Sequence, residues 1–111
     1  MCKVSKSWLK NNGFIETVYK NVHEYHNYMQ EVINQKQTVY GIYFKDRWAR
    51  FDCYYYVTTN KYGDKRISRY YMFTAYNQKT HFKVENSITY SLPTREQMRA
   101  ACLVCGISLP Y

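Results

Sequence analysis

Apolar positions in this chain recur with two different periods, and the change from one to the other sets the expected architecture. Over 16–34 the residues Val18, Val22, Tyr25, Met29, Val32 and Ile33 fall three and four apart, with Lys20, Asn21, Glu24, Asn27 and Glu31 between them. That spacing predicts an amphipathic helix. Ahead of it, Ser5 to Lys10 can form a short helical turn closed by Asn11-Asn12-Gly13, with Trp8 pinning an N-terminal arm over 1–13 to the body.

After Gln35-Lys36-Gln37 the period becomes two, which is the signature of strands. Four are expected, over 38–44, 47–59, 66–76 and 81–92, joined by Lys45-Asp46, by Asn60 to Lys65 and by Asn77-Gln78-Lys79-Thr80. In the last strand Phe82, Val84, Ile88, Tyr90 and Leu92 alternate with polar residues. Pro93 stops it, and Thr94 with Gln97 three residues on forms a capping-box start for a helix over 94–105, ended by Gly106.

The order helix, four strands, helix predicts an α+β two-layer sandwich: a four-stranded antiparallel meander with both helices on one face and the other face open. No Pro/Gly/Ser-rich linker or composition shift divides the chain, so 1–111 is read as one domain. On the second strand Ala49, Phe51, Cys53, Tyr55 and Val57 are expected to face the helices, and Trp48, Arg50, Asp52, Tyr54, Tyr56 and Thr58 to point away. On the third, turning Ile67, Tyr71, Phe73 and Ala75 inward carries Arg69 inward too, which a bulge or an edge position would resolve.

Composition sharpens this picture at one place. The stretch 39–76 holds nine of the 14 tyrosines, and its bases Lys45, Arg47, Arg50, Lys61, Lys65, Arg66 and Arg69 outnumber its three acids. With a formal net charge of +8 for the whole chain, encounter with polyanions is favoured. Bases of single strands stack on aromatic rings while Lys and Arg hold phosphates, so aromatics interleaved with cations on a sheet point to single-stranded RNA or DNA. The expected site comprises Trp48, Arg50, Tyr54, Tyr56, Arg66, Tyr70 and Tyr76, with Lys45, Arg47, Lys61 and Lys65 beside them.

Aromatic and Arg enrichment also marks protein interfaces. The second reading is therefore an inhibitor or adaptor that docks on an acidic or nucleic-acid-binding host protein, such as a defence nuclease. Lys, Asn, Tyr and Ile, whose codons are rich in A and T, give the chain the profile of a phage or mobile-element protein. A weak homodimer through the open face is expected as well.

Little points to catalysis. Acids are few and scattered, and neither a Ser/His/Asp nor a Cys/His arrangement is legible, so a non-enzymatic binder is expected, with no cofactor. Cys102-x-x-Cys105 is half of a zinc site without a second pair, so no metal is assigned and core thiols are expected. His23 and His26, three apart on the expected helix, are placed at its polar margin. There is no apolar run long enough to span a bilayer and no signal-peptide core, and Cys2, Cys53, Cys102 and Cys105 read as reduced thiols; a cytoplasmic protein that does not engage membranes is expected.

Gly41-Ile42-Tyr43 with Tyr55-Tyr56-Val57 is similar to the paired motif of GIY-YIG nucleases, but the second half lacks the glycine. The element order is loosely similar to double-stranded RNA-binding domains, with one strand too many. Neither likeness covers enough of the chain to assign a family.

Overall fold

The computed structural model describes residues 4–89 and 93–111. Its elements run α1 (Lys6–Asn11), β1 (Ile15–His26), β2 (Val32–Tyr43), β3 (Arg47–Thr59), β4 (Lys65–Asn77), β5 (Phe82–Thr89) and α2 (Arg95–Val104). The protein is α+β: a mostly antiparallel five-stranded sheet in the order β1-β2-β3-β4-β5, with two short helices.

The helix expected over 16–34 is not there. Those residues form β1, a turn and the start of β2, so the sheet has five strands rather than four. Ile15, Thr17, Val18, Tyr19, Tyr25, Val32 and Ile33 are β-branched or aromatic, side chains that lose rotamer freedom in a helix and fit a pleated surface. Cross-strand pairing from Ile15↔Gly41 to His26↔Val32 then outweighs the coincidental three-four spacing. A register shift between Tyr19 and His23 places two extra residues in β1, which further disguises its period.

The other boundaries follow the sequence closely. Lys45-Asp46 is the tight turn between β2 and β3, closed by Phe44 N–H donating to the Arg47 carbonyl at 2.8 Å. In α2, Gln97 N–H donates to Thr94 Oγ1 at 3.1 Å and Thr94 N–H to Gln97 Oε1 at 2.9 Å, the reciprocal capping box. Both helices end alike, with glycine at positive φ (Gly13 at 92°, Gly106 at 79°). Phe14 and Ile107 then donate back to the Leu9 and Cys102 carbonyls, and both side chains are buried. The last strand was expected to reach Leu92; β5 is seen to Thr89, and Tyr90 and Leu92 lie outside the described residues. Its alternation is interrupted, because Asn86 pairs with Phe73 but Thr89 with Tyr71.

The unbroken β2-β3-β4 register sorts the faces. Ala49, Phe51, Phe73 and Ala75 face the helices and are at most 2 % exposed, packed with Trp8, Leu9, Met98, Cys102, Cys105 and Ile107. Burying this cluster is the main drive for folding, since each buried Phe, Leu or Met side chain contributes about 1.5–3 kcal/mol. The core stops at Cys53 and Tyr71. Strands of 12 to 13 residues are longer than helices of 6 and 10 residues can cover, so one end of the sheet, here the distal end, projects as a blade with both faces uncovered.

This explains Arg69. There is no bulge between β3 and β4, and Arg69 pairs with Tyr55 on the helix-side face, yet it is exposed because the helices do not reach it.

Candidate functional site

The outer face, which neither helix covers, carries Trp48, Arg50, Asp52, Tyr54, Tyr56 and Thr58 on β3, opposite Tyr76, Thr74, Met72, Tyr70, Ser68 and Arg66 on β4. It divides into three zones along the strands.

At the end nearest the core, Trp48 packs on Tyr76 with ring centroids 5.8 Å apart. In the middle, Asp52 is buried although no helix lies over it. It accepts from Arg50 Nη2 at 2.9 Å and from Gln37 Nε2 at 3.0 Å, while Arg50 Nε has no hydrogen-bond partner among the described residues. Burial opposes the Arg50 charge, but the Asp52 carboxylate outweighs it and raises the guanidinium pKa. The cation is thus committed within the face.

The distal zone is a cleft of about 440 Å³ lined by Tyr25, Ile33, Tyr54, Tyr56, Tyr70 and Arg66, with Thr58 and Ser68 in its floor. That volume lies within the ~300–1,000 Å³ of small-ligand sites. Tyr56 meets Tyr70 edge to face at 5.3 Å and lies nearly parallel to Tyr54 at 6.5 Å. Strand alternation produces this cluster, because residues two apart share a face and register sets Tyr54 directly across from Tyr70. Burial first, then the Asp52 carboxylate, raises the Tyr54 phenol; burial and the neighbouring Tyr25 and Tyr70 raise Tyr56. Both phenols are neutral at physiological pH and offer a hydroxyl as donor or acceptor.

The structure does not unite all the residues expected of one site. Tyr54, Tyr56, Arg66 and Tyr70 meet at the distal cleft, and Lys61 lies in the adjacent loop, whereas Lys65, the first residue of β4, is on the helix-side face. Lys45 is at the other end of β3, about 40 Å away at ~3.3 Å per residue. There it lines a separate hollow with Asp46, Gln78, Lys79 and His81. Arg47 is on the helix-side face, its guanidinium 5.1 Å from the Phe44 ring centre. Tyr25 and Ile33 join the cleft because β1 is a strand; reading that segment as a helix hid them.

Charge is distributed differently from the expectation too. Among the described residues the outer-face strand cations are each matched by an acid: Arg50 by Asp52, Arg66 by Glu31 at 4.0 Å, and Lys83 by Glu85 at 2.9 Å. On the uncovered half of the helix-side face, Lys36, Lys65 and Arg69 have no acidic partner within 4.0 Å among the described residues.

Cys102 and Cys105 are buried in the α2 core, and burial pushes the Cys102 thiol up to about 12. Among the described residues no three His, Cys, Asp or Glu side chains gather as a metal cluster, and the helical spacing of His23 and His26 dissolves with the helix. Among the described residues no helix is long and apolar enough to cross a membrane. Cys2 lies outside the described residues. Comparison with protein-family models, curated proteins and solved structures gives no match.

Proposed function

We propose that the protein is a small non-enzymatic domain that binds single-stranded RNA or DNA at the distal cleft of the outer sheet face. The observation that carries this reading is the cluster of Tyr54, Tyr56 and Tyr70 around an open cleft with Arg66 at its rim. Each base stacked on such a ring contributes about 1–3 kcal/mol whatever its identity. Lys61 on the neighbouring loop would meet the phosphates. Fluorescence anisotropy with single-stranded oligonucleotides at low salt tests it. Tyr54→Ala should weaken binding about ten-fold with the salt dependence kept; no binding of any oligonucleotide at micromolar protein overturns the reading.

The charge balance of the outer face favours a second reading. An aromatic surface whose cations are already paired suits a protein partner, and the domain would then be a phage- or mobile-element-type inhibitor or adaptor acting on a host protein, a defence nuclease among the candidates. A stoichiometric band in a pull-down from nuclease-treated host lysate, lost with Tyr54→Ala, would replace the first reading with this one.

A further inference from the structure

The helix-side face of the distal blade holds a row that the outer-face site does not use. Lys36 on β2, Tyr55 on β3 and Arg69 on β4 are direct cross-strand neighbours. The Arg69 guanidinium lies 5.5 Å from the Tyr55 ring centre. Lys65 is four residues before Arg69 on the same face of β4. Lys36, Arg69 and Lys65 are exposed, and none has an acidic partner within 4.0 Å among the described residues.

We propose that this row is a second nucleic-acid contact, a sequence-blind track for the sugar-phosphate backbone of a single strand on the side of the sheet opposite the tyrosine cleft. The proposal rests on the reading of the protein as a nucleic-acid binder but not on the cleft itself. Three cations without acids, spread over two strands and flanking one aromatic ring, complement a line of phosphates. Paired cations contribute less, because a phosphate must first displace a carboxylate. That distinction assigns the electrostatic part of binding to this face and the stacking part to the other. The face carries no helix because α1 and α2 pack only as far as Cys53 and Tyr71, so the row is open in the folded protein.

The test uses an abasic deoxyribose-phosphate oligomer, which has a backbone but nothing to stack, beside a base-bearing oligonucleotide and poly-glutamate, each titrated at several salt concentrations. The abasic oligomer should bind the wild-type protein and Tyr54→Ala equally. Lys36→Gln/Arg69→Gln should weaken it several-fold and reduce the slope of log K against log salt by about 1.4, at ~0.7 per lost single-strand phosphate contact. Both substitutions are at exposed positions, and an unchanged circular dichroism melt shows that the variant is folded. Absence of abasic binding, or binding that the double variant does not alter, overturns the proposal even where the base-bearing strand still binds through Tyr54. Poly-glutamate binding with the wild-type slope and no abasic binding overturns it in favour of an acidic protein.

Discussion

Arg50 donates to Asp52 at 2.9 Å from two residues away on the same strand, and Asp52 is buried on a face that no helix covers. Arg50 and Gln37 both donate to the carboxylate and satisfy it. Removing one partner of a buried pair costs about 3–5 kcal/mol, and a third of the Arg50 side chain is exposed, so about 2–3 kcal/mol is expected for Arg50→Ala. Thermal denaturation should show a melting temperature lower by about 8–24 °C, at ~4–8 °C per kcal/mol. Nucleic-acid binding by the folded fraction should keep its salt slope. A drop of less than ~3 °C accompanied by a lower slope would make Arg50 a phosphate ligand instead.

Two loops at the distal end show how much of this fold can be read from the sequence. At Asn60 the side-chain oxygen accepts from Tyr62 and Asp64 N–H, and Gly63 takes φ 86°. At Asn27 it accepts from Met29 and Glu31 N–H, and Gln30 takes φ 60°. The turns are the same; only the first displays its glycine. The β3-β4 hairpin, the faces of β3 and the α2 capping box were legible because each carries its own local chemistry. The β1-β2 hairpin was not, since glutamine at a left-handed position looks like a helix residue. The tyrosine cleft was half legible for the same reason: Tyr54, Tyr56 and Tyr70 follow from β3 and β4, whereas Tyr25 and Ile33 need β1. The unpaired cations were hidden because helix length relative to strand length, which leaves Lys36 and Arg69 uncovered, is a tertiary property.

Gln30 therefore carries backbone strain that glycine would relieve. Gln30→Gly should stabilise the protein by about 0.5–1 kcal/mol in urea denaturation, the relief of the left-handed conformation less the added chain entropy of glycine. Gly63→Gln, the reciprocal change, should destabilise it by a similar amount. A destabilising Gln30→Gly would mean that the Gln30 side chain contributes more than its backbone costs.

Tyr40 O–H donates to Glu16 Oε2 at 2.8 Å, and Lys6 Nζ lies 3.1 Å from the same oxygen, joining α1, the edge strand β1 and β2. The Tyr40 hydrogen bond first, then that of Lys6, lowers the Glu16 pKa below its ordinary 4.5. A depressed carboxyl contributes stability above its unfolded pKa and loses it as pH falls through the folded one. On the alkaline side, burial raises Tyr40 and Cys53, the latter to about 12, so their protonated forms stabilise the fold below their ordinary values of 10.0 and 9.0 and that contribution is lost as pH rises beyond them. The melting temperature should be flat from about pH 5 to 9 and fall on both sides. Glu16→Gln should shallow the acid limb and, because the Glu16 hydrogen bond and charge add to burial in raising Tyr40, alter the alkaline limb as well; an unchanged acid limb would show that Glu16 is not coupled to folding.

The same thiol shifts predict slow alkylation. Burial, and then Asp52, pushes the Cys53 thiol up to about 12, and burial does the same for Cys102. At pH 8 a thiol with that pKa is ionised to about one part in 10⁴, and the thiolate is the nucleophile. Iodoacetamide labelling mapped by mass spectrometry should leave Cys53 and Cys102 unmodified in native buffer and modify both in denaturant. Rapid native labelling of Cys102 would mean that α2 opens readily from the sheet.

Assembly depends on the same charge distribution. The outer face exposes aromatic surface, and the long edge strand β1 carries Ile15 at 67 % and Val18 at 52 % exposure, so a self-complementary contact has apolar area to bury. Because Arg50, Arg66 and Lys83 are already matched by acids, such a contact brings few unpaired like charges together. The opposing term is the repulsion between two chains of net charge +8, which acts over the Debye length of about 10 Å at 0.1 M salt and shortens to ~3 Å at 1 M. Weak dimerisation is expected, strengthening as salt rises. Sedimentation velocity at 0.05 and 0.5 M salt, values chosen to span roughly the range in which screening changes most, should show a larger average mass at the higher concentration. A dimer that dissociates as salt rises would place intermolecular ion pairs, with Lys36, Lys65 or Arg69 as their cations, at the contact, and would move the interface to the helix-side face.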